Sequence, residues 1–290
     1  MSLNKKHIVT LCLGGLLVSI GLSVQAHQGK TVTGLKTPES VVEAPDGRVF
    51  VSEIGEFGKD GDGEISYIDK DGKRHPFASG MDDPKGLALI GDDLYVADKT
   101  RVLKVGSDGK WQVFAAATAF PTTPKFLNDL EADPHGMLYV SDSGNLEGVG
   151  GAIYSIDRDG KVTLLIDGAK DKRVLAPNGL LADDTGKALL EVDFVSGILY
   201  KLDLATGEMQ ELASGFGGGD GLVHHPKGLM FVSDWKNGKV FSVDAVKDEV
   251  KLLKAGFKAS ADIAMSRDGR YVIVPDMKAG EVVWLPIHIK

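Results

Sequence analysis

A short motif that recurs six times along the chain constrains the fold most strongly. Each copy has a turn with Asp or Gly, an apolar strand and a closing acid, as in residues 46–53. The closing acids lie 41 to 51 residues apart, at Glu53, Asp98, Asp142, Asp193, Asp234 and Asp276. A period in the low forties built from short strands is typical of a β-propeller, in which each repeat forms one blade. The sequence therefore predicts an all-β fold, a six-bladed β-propeller that spans residues 27–290 as a single domain.

The sixth copy ends before a fourth strand can form, and this indicates how the ring closes. In the other five copies, two further apolar segments follow the motif, joined by turns such as the one at residues 69–72. Near the N-terminus, the sequence of residues 34–38 is similar to that of residues 80–84, which directly follow the fourth strand of the first copy. We expect a strand at residues 31–35 to complete the last blade, which leaves no open sheet edge.

The first 26 residues have the features of a secretory signal peptide. Lys5 and Lys6 precede an uncharged run at residues 8–24, and a small residue, Ala26, ends the segment. The alternative is an uncleaved anchor helix, because a run of 17 residues is close to the shortest membrane span. Cleavage after residue 26 would remove the only cysteine, Cys12. The sequence therefore predicts a periplasmic or secreted protein that has no disulfide and, after cleavage, no membrane attachment.

The overall charge argues against nucleic acid as a partner. The chain has 33 basic and 41 acidic residues, which gives a formal net charge of −8. A protein that binds nucleic acid needs a basic face to neutralise phosphates, and an acidic chain with dispersed lysines does not predict one.

One position differs from blade to blade although the repeat around it is constant. It lies eight residues before the turn of each motif, where the inner strands converge on the mouth of the central channel. Its occupants are Glu39, Lys85, Asn128, Asn178, Asp220 and Ala261. Two carboxylates and two amides form an oxygen-only ligand set, which Ca²⁺ prefers, and the position has no His or Cys for zinc. The sequence therefore predicts a site for Ca²⁺ or another divalent cation. The alternative is a channel that holds ordered water, in which Lys85 balances part of the acidic charge.

Four motifs at this position resemble those of one protein family. They are Pro38-Glu39-Ser40, Phe126-Leu127-Asn128-Asp129, Pro177-Asn178-Gly179-Leu180 and Gly219-Asp220-Gly221-Leu222. Across essentially the whole mature chain, the sequence is similar to the senescence-marker-protein/gluconolactonase family, close to regucalcin. The resemblance implies a six-bladed propeller that binds calcium or another divalent ion, and many members hydrolyse lactones. It also implies that Glu39, Asn178 and Asp220 are metal ligands, and that Asn128 contacts the substrate and, often through water, the metal.

Two positions depart from the family pattern. Gluconolactonases usually have an arginine two residues before the motif asparagine, where it holds sugar hydroxyls, and this chain has Phe126 there. The difference weakens the assignment of a sugar lactone and leaves a more apolar ring as an alternative. Lys85 is the second departure, and we include it with Asn128 and Phe126 among the candidate substrate contacts.

The predicted ligand set suggests metal-assisted hydrolysis. A divalent ion would polarise a lactone carbonyl, and a carboxylate would accept the proton of the attacking water. The candidate bases are Asp220, which the family favours, and Asp129, for which a turn contact is an equal alternative. Two functions follow: an exported divalent-metal-dependent hydrolase of a lactone or related ester, or a non-catalytic calcium-binding propeller that serves as an interaction module.

Aromatic residues in the connections between strands are candidates for the wall of a substrate pocket. They include Phe57, Phe194, Phe216 and Trp235. A rim of aromatic side chains suits an apolar substrate. For any single one of them, however, packing between blades is the favoured interpretation.

Overall fold

The computed structural model describes residues 29–289, which form six four-stranded sheets arranged as a propeller. The predicted fold class is therefore confirmed. No helix within these residues is long and apolar enough to cross a membrane. The predicted signal peptide, residues 1–26, lies outside the described part of the chain.

Each blade is an antiparallel sheet whose strands run in sequence order from the channel to the surface, apart from the last blade. The inner strands of blades 1 to 6 are β2 (Pro38–Glu43), β6 (Pro84–Ile90), β10 (Leu127–Ala132), β14 (Pro177–Ala182), β18 (Gly219–His224) and β22 (Ala264–Met265). The second strands are β3 (Val49–Glu53), β7 (Asp93–Asp98), β11 (Leu138–Asp142), β15 (Ala188–Asp193), β19 (Met230–Asp234) and β23 (Tyr271–Asp276). The third strands are β4 (Gly63–Ile68), β8 (Arg101–Val105), β12 (Ala152–Ile156), β16 (Ile198–Asp203), β20 (Lys239–Asp244) and β24 (Glu281–Pro286). The outer strands are β5 (Arg74–Met81), β9 (Trp111–Ala115), β13 (Val162–Asp167), β17 (Met209–Ser214), β21 (Glu249–Ala255) and, in blade 6, β1 (Lys30–Thr33); a single 3₁₀ turn, Ala117–Ala119, follows β9.

The N-terminal strand closes the ring as the sequence predicts. β1 pairs antiparallel with β24, from Lys30 opposite Trp284 to Thr33 opposite Glu281. Blade 6 therefore takes its three inner strands from the C-terminal end of the chain and its outer strand from the N-terminal end. Since the two ends share one sheet, neither leaves an unpaired edge inside the ring.

Among residues 29–289, six hydrophobic clusters lie one between each pair of neighbouring blades, and a seventh, smaller cluster includes Ile54 and Met277. Between blades 1 and 2, for example, Ile65 packs in the same cluster as Val96, and both are fully buried. Branched side chains on the pleated faces fill these interfaces, and the buried apolar area stabilises the ring as a whole.

The recurring closing acids hold the segment that leads into each inner strand. The carboxylate of Asp142 accepts the backbone N–H groups of Lys125 and Phe126 at 3.0 and 2.9 Å. Asp276 accepts those of Lys258 and Ala259 at 2.8 and 2.9 Å. These acids are buried and satisfy backbone donors, so the motif is structural, and it fixes the backbone two to three residues before the channel position.

Candidate functional site

The six variable positions lie in one ring at one end of the channel. In blades 1 to 5 the residue is the second of its inner strand, and in blade 6 it precedes β22. The ring consists of Glu39, Lys85, Asn128, Asn178, Asp220 and Ala261, and all six are buried. Neighbouring inner strands contact one another around the ring, so their side chains converge on a narrow channel.

A β-bulge lies at this position in each of the first five blades. The register between inner and second strand shifts, for example, between Pro38 and Val41 and between Leu127 and Leu130. A bulge leaves two consecutive residues of the strand unpaired and turns the strand. Side chains that regular alternation would place between blades are therefore directed into the channel. The bulge also leaves a backbone N–H without a ladder partner.

Serine hydroxyls satisfy these N–H groups in three blades. Ser52 accepts the N–H of Ser40 at 2.9 Å, and Ser141 accepts that of Asp129 at 2.9 Å. The third pair joins the N–H of Gly221 to Ser233 at 2.7 Å. Each serine directly precedes a closing acid, so the Ser-Asp and Ser-Glu pairs were a sequence signal for the bulge that our sequence reasoning missed.

Three oxygens of the ring are buried and have no hydrogen-bond partner among residues 29–289. They are Glu39 Oε2, Asn178 Oδ1 and Asp220 Oδ1. Buried polar atoms are nearly always paired in native proteins, and an unpaired carboxylate oxygen in a low dielectric is costly. Three such atoms in one ring are therefore the expected signature of a site built for a cation.

The electrostatics of the two carboxylates support the same conclusion. Burial raises the pKa of Glu39 well above its usual range, and the charge of Asp220 raises it further. The pKa of Asp220 is likewise raised well above its usual range, first by burial and then by the charge of Asp129, while a hydrogen bond from Asn178 lowers it. A bound cation would relieve this strain by favouring the charged form of both groups.

The donor set contains only oxygen. Within the described residues, no group of three or more His, Cys, Asp or Glu side chains is arranged to hold a metal ion. The ring has two carboxylates and completes its donors with asparagine amides, which suits a hard cation such as Ca²⁺ rather than zinc. The residues present thus fit a hard divalent ion.

Asn128 is oriented by a neighbouring serine. Its Nδ2 donates to Ser143 Oγ at 3.0 Å, and the Ser143 hydroxyl donates to the carbonyl oxygen of Pro177 at 2.8 Å. Because the amide nitrogen is used in this bond, the carbonyl oxygen of Asn128 is the atom left for a cation or a substrate.

Lys85 and Phe126, the two departures from the family pattern, touch each other. Lys85 is only 1% exposed, and its Nζ donates to the carbonyl oxygen of Asp83 at 3.1 Å. The same ammonium group lies 4.3 Å from the centre of the Phe126 ring. Burial lowers the pKa of Lys85, and the nearby charge of Glu39 opposes that shift. The ring therefore contains one buried cation of its own, beside Glu39.

Asp129 lies in the channel but is tied to the backbone. Its Oδ1 accepts the N–H of Leu130 and its Oδ2 the N–H of Leu180, both at 2.6 Å. Burial raises the pKa of Asp129 to about 6, although these hydrogen bonds lower it. The carboxylate joins blades 3 and 4, which gives it a structural role that the sequence left open beside its candidate role as base.

Asp262 is a channel residue that sequence reasoning missed. Its Oδ2 accepts the hydroxyl of Ser40 at 2.5 Å, and its pKa is raised well above its usual range, first by burial and then by the charge of Asp129. At this second channel position three blades have glycine, and a Cβ at Gly179 would overlap the carbonyl oxygen of Asp220. The other three blades have a polar residue at this position: Ser40, Asp129 and Asp262. The alignment of the six repeats that located the ring could also have shown this pattern.

The fold and the ring of oxygen donors together define a six-bladed propeller with a candidate cation site at one end of its channel. Residues 88–269, more than half of the chain, match the family described as SMP-30/Gluconolactonase/LRE-like region. The chain belongs to this family, and the predicted resemblance is confirmed. The matched segment includes Asn128, Asn178 and Asp220, and the structure adds Glu39 to the same ring.

Solved structures share the propeller fold at low sequence identity. A protein proposed to be a gluconolactonase has a TM-score of 0.70 and 19% identity, over 91% of this chain and 92% of that one. A streptogramin B lyase has a TM-score of 0.65 and 13% identity, over 90% and 98%. A chain of a nidogen/laminin complex has a TM-score of 0.62 and 22% identity, over 74% and 78%. These likenesses establish the fold alone. Among curated protein sequences, none matches the chain.

Proposed function

We propose that this protein is an exported, divalent-metal-dependent hydrolase of a lactone or a related ester. Membership of the family supports a lactonase-like propeller. The observation that carries the proposal is the set of three buried, unpartnered oxygens on Glu39, Asn178 and Asp220. Export rests on the signal-peptide pattern of residues 1–26.

Glu39, Asn178 and Asp220 would hold the ion, with Asn128 as a fourth oxygen donor. Ca²⁺ is the ion that this donor set favours. When bound there, a divalent cation polarises the lactone carbonyl and stabilises the oxyanion formed on attack by water. The substrate lies over the ring, beside Lys85 and Phe126, and the buried ammonium of Lys85 offers hydrogen bonds to its oxygen atoms.

Asp220 is the base that the geometry favours. Its Oδ1, which has no hydrogen-bond partner within the described chain, would ligate the ion and leave the second carboxylate oxygen for the proton, whereas both oxygens of Asp129 accept backbone N–H groups. The water oxygen attacks the carbonyl carbon, and Asp220 accepts its proton. The bond between the carbonyl carbon and the ring oxygen then breaks, and that oxygen takes the proton, which gives the open-chain hydroxy acid.

The test combines metal binding with turnover. Purified protein is titrated with Ca²⁺ by calorimetry, then screened against sugar, aliphatic and aromatic lactones with and without a chelator. We expect binding and chelator-sensitive hydrolysis in the wild type and in Asp268→Asn, a matched control on an exposed turn, and neither in Asp220→Asn. Metal binding without hydrolysis of any lactone would instead support the non-catalytic calcium-binding module. Absence of both would refute the site.

A further inference from the structure

A second ring of side chains lies directly outside the candidate metal ligands. It is formed by the residue that directly follows each closing acid. The backbone N–H of this residue donates to a carbonyl oxygen of the same blade, that of the residue two positions before the one that the blade contributes to the ring of channel positions, the inner ring. Trp235 donates in this way to Gly218 at 2.8 Å, and Met277 to Ala259 at 2.9 Å. The six members are Ile54, Lys99, Ser143, Phe194, Trp235 and Met277. Ser143 accepts the Asn128 amide, so a side chain at this position reaches the channel.

The outer ring is divided into an apolar and a polar part. Blades 4, 5, 6 and 1, which are neighbours around the closed ring, contribute Phe194, Trp235, Met277 and Ile54; we call these four residues the apolar arc. Blades 2 and 3 contribute the polar side chains Lys99 and Ser143. The four apolar residues are therefore contiguous around the ring.

The apolar arc is a packed surface. Ile54 and Met277 are buried in one cluster with Ala259 and Ala261, and Trp235 packs against that cluster. The Trp235 Nε1–H donates to the sulfur of Met277 at 3.4 Å. The rings of Phe194 and Trp235 lie 6.1 Å apart at their centres, and both side chains stay partly exposed.

Lysines hold the two exposed rings in place. The ammonium of Lys236 lies 4.3 Å from the centre of the Phe194 ring and also donates to the Phe194 carbonyl. Lys278 lies 4.1 Å from the centre of the Trp235 ring. Cations over these ring faces fix the aromatic side chains at the mouth, so the arc is preformed.

The arc shares its blades with three of the four candidate ligands. Asn178, Asp220 and Glu39 belong to blades 4, 5 and 1, the same blades that carry Phe194, Trp235 and Ile54. Ala261, the one apolar residue of the inner ring, is fully buried in the same cluster as Ile54 and Met277. Phe194 and Trp235 therefore form the accessible part of the arc. An alkyl or aryl group placed against these two aromatic rings would gain apolar contact, whereas a hydroxyl group there would exchange its bonds to water for the ammonium groups of Lys236 and Lys278 alone.

We propose, on the basis of the function proposed above, that the substrates are lactones whose ring carries an apolar substituent, alkyl or aryl, packed against the apolar arc. The lactone oxygens then face the polar half of the mouth, where Asn128, Lys85 and Ser143 lie. A polyhydroxylated sugar lactone is a poor substrate, since its hydroxyls would face Phe194 and Trp235.

The proposal is tested with a series of γ-lactones that differ only in the length of an alkyl chain on the ring, together with gluconolactone. We expect kcat/KM to rise about fourfold for each added methylene until the arc is covered. Trp235→Ala and Phe194→Ala should flatten this dependence, so that kcat/KM no longer rises with the length of the alkyl chain. Trp235→Phe should retain the dependence. Trp111→Ala, a change on outer strand β9, is the matched aromatic control and should behave as wild type.

The possible failures are distinguishable. Equal or faster turnover of γ-butyrolactone or gluconolactone, sensitive to chelator, would overturn the proposal about the arc and leave the hydrolase function intact. If no lactone is hydrolysed, a non-hydrolysable probe, 2-pentylcyclopentanone, still tests the arc through tryptophan fluorescence. A spectral change that is lost in Trp235→Phe would support an apolar ligand at the arc although the hydrolase function had failed. No change with this probe would overturn both.

Discussion

Glu191→Val is expected to stabilise the protein, because Glu191 stands where the other blades bury valine. The position two residues before the closing acid holds Val51, Val96, Val140, Val232 and Val274, all fully buried. Glu191 is also fully buried, on β15 opposite Leu180 and Tyr200 of the flanking strands. Neither of its carboxylate oxygens has a hydrogen-bond partner in the described chain. A buried polar group without a partner destabilises the fold.

The size of the effect has two contributions. Leaving the carboxyl group unpartnered in the interior costs about 1–3 kcal/mol. Burial also raises the pKa of Glu191 well above its ordinary 4.5, and the charge of Asp193 adds to the shift. The folded protein therefore keeps a proton that the unfolded chain releases. Stability is unaffected by this group below pH 4.5 and falls by about 1.4 kcal/mol per pH unit as the pH rises from there through the raised pKa.

Valine fills nearly the same volume as glutamic acid, so the substitution opens little cavity. At pH 4.5, where the titration contributes little, we expect Glu191→Val to gain about 1–3 kcal/mol, which for a chain of this size raises Tm by about 2–12 °C, and the gain should be larger at pH 7. Urea unfolding followed by circular dichroism, at intervals from pH 4.5 to 8, measures the gain directly. The difference between variant and wild type should widen as the pH rises.

Two variants separate the contributions to this prediction. Glu191→Gln removes the titrating group but keeps a buried polar side chain. Its gain in unfolding free energy over the wild type should therefore increase with pH, and at low pH it should be smaller than the gain of Glu191→Val. Val140→Glu places the same carboxyl at the same position in blade 3 and should destabilise by a similar amount. The reasoning fails if Glu191→Val is less stable than wild type, or if the difference stays constant from pH 4.5 to 8, because Glu191 would then be ionised and paired in the folded protein.

Four further outcomes are expected. Asp220→Asn should lose calorimetric metal binding while remaining folded by circular dichroism, and tight binding in this variant would remove Asp220 from the ligand set. Asp129→Asn should lose about 1–3 kcal/mol in urea unfolding, because an amide cannot accept both N–H bonds, yet still bind metal; lost binding at full stability would contradict the structural role. Ca²⁺ at a hundred times its Kd should stabilise the wild type by about 2.7 kcal/mol in the same assay, reversibly with chelator, and should leave Asp220→Asn unchanged. Deleting residues 27–33 should expose β24 and cause aggregation in light scattering, whereas a chain that begins at residue 27 should stay monodisperse; equal behaviour of the two chains would show that β1 is dispensable.

The architecture was predictable because it repeats. The closing acids and the turns before them set the period, and one observation, the missing fourth strand of the last repeat, was enough to predict the closure by β1. Strand ends were harder to predict than strand order: the predicted strand at residues 31–35 is Lys30–Thr33 in the structure. Its end depends on the pairing with β24, where Thr33 lies opposite Glu281, 248 residues further along the chain.

The ring of candidate ligands was also predictable, since it is one position of the repeat. Counting along the chain located Glu39, Asn178 and Asp220 together, although their roles stay predictions. Asp262 was missed for a physical reason. Regular alternation places two consecutive residues on opposite faces of a strand, whereas Asp262 lies before β22, outside the regular strand of its blade, and in blades 1 to 5 a bulge brings both positions into the channel.

The aromatic residues show why the wall of the site needed the structure. Phe194, Phe216 and Phe57 all lie in connections between strands, and no sequence pattern separates them. In the structure Phe216 is fully buried between blades 4 and 5, Phe57 is 53% exposed, and only Phe194, with Trp235, belongs to the apolar arc. What distinguishes Phe194 and Trp235 is that each directly follows a closing acid. That acid fixes the backbone around it, so the repeat that builds the blades also determines which side chains lie beside the candidate ligands.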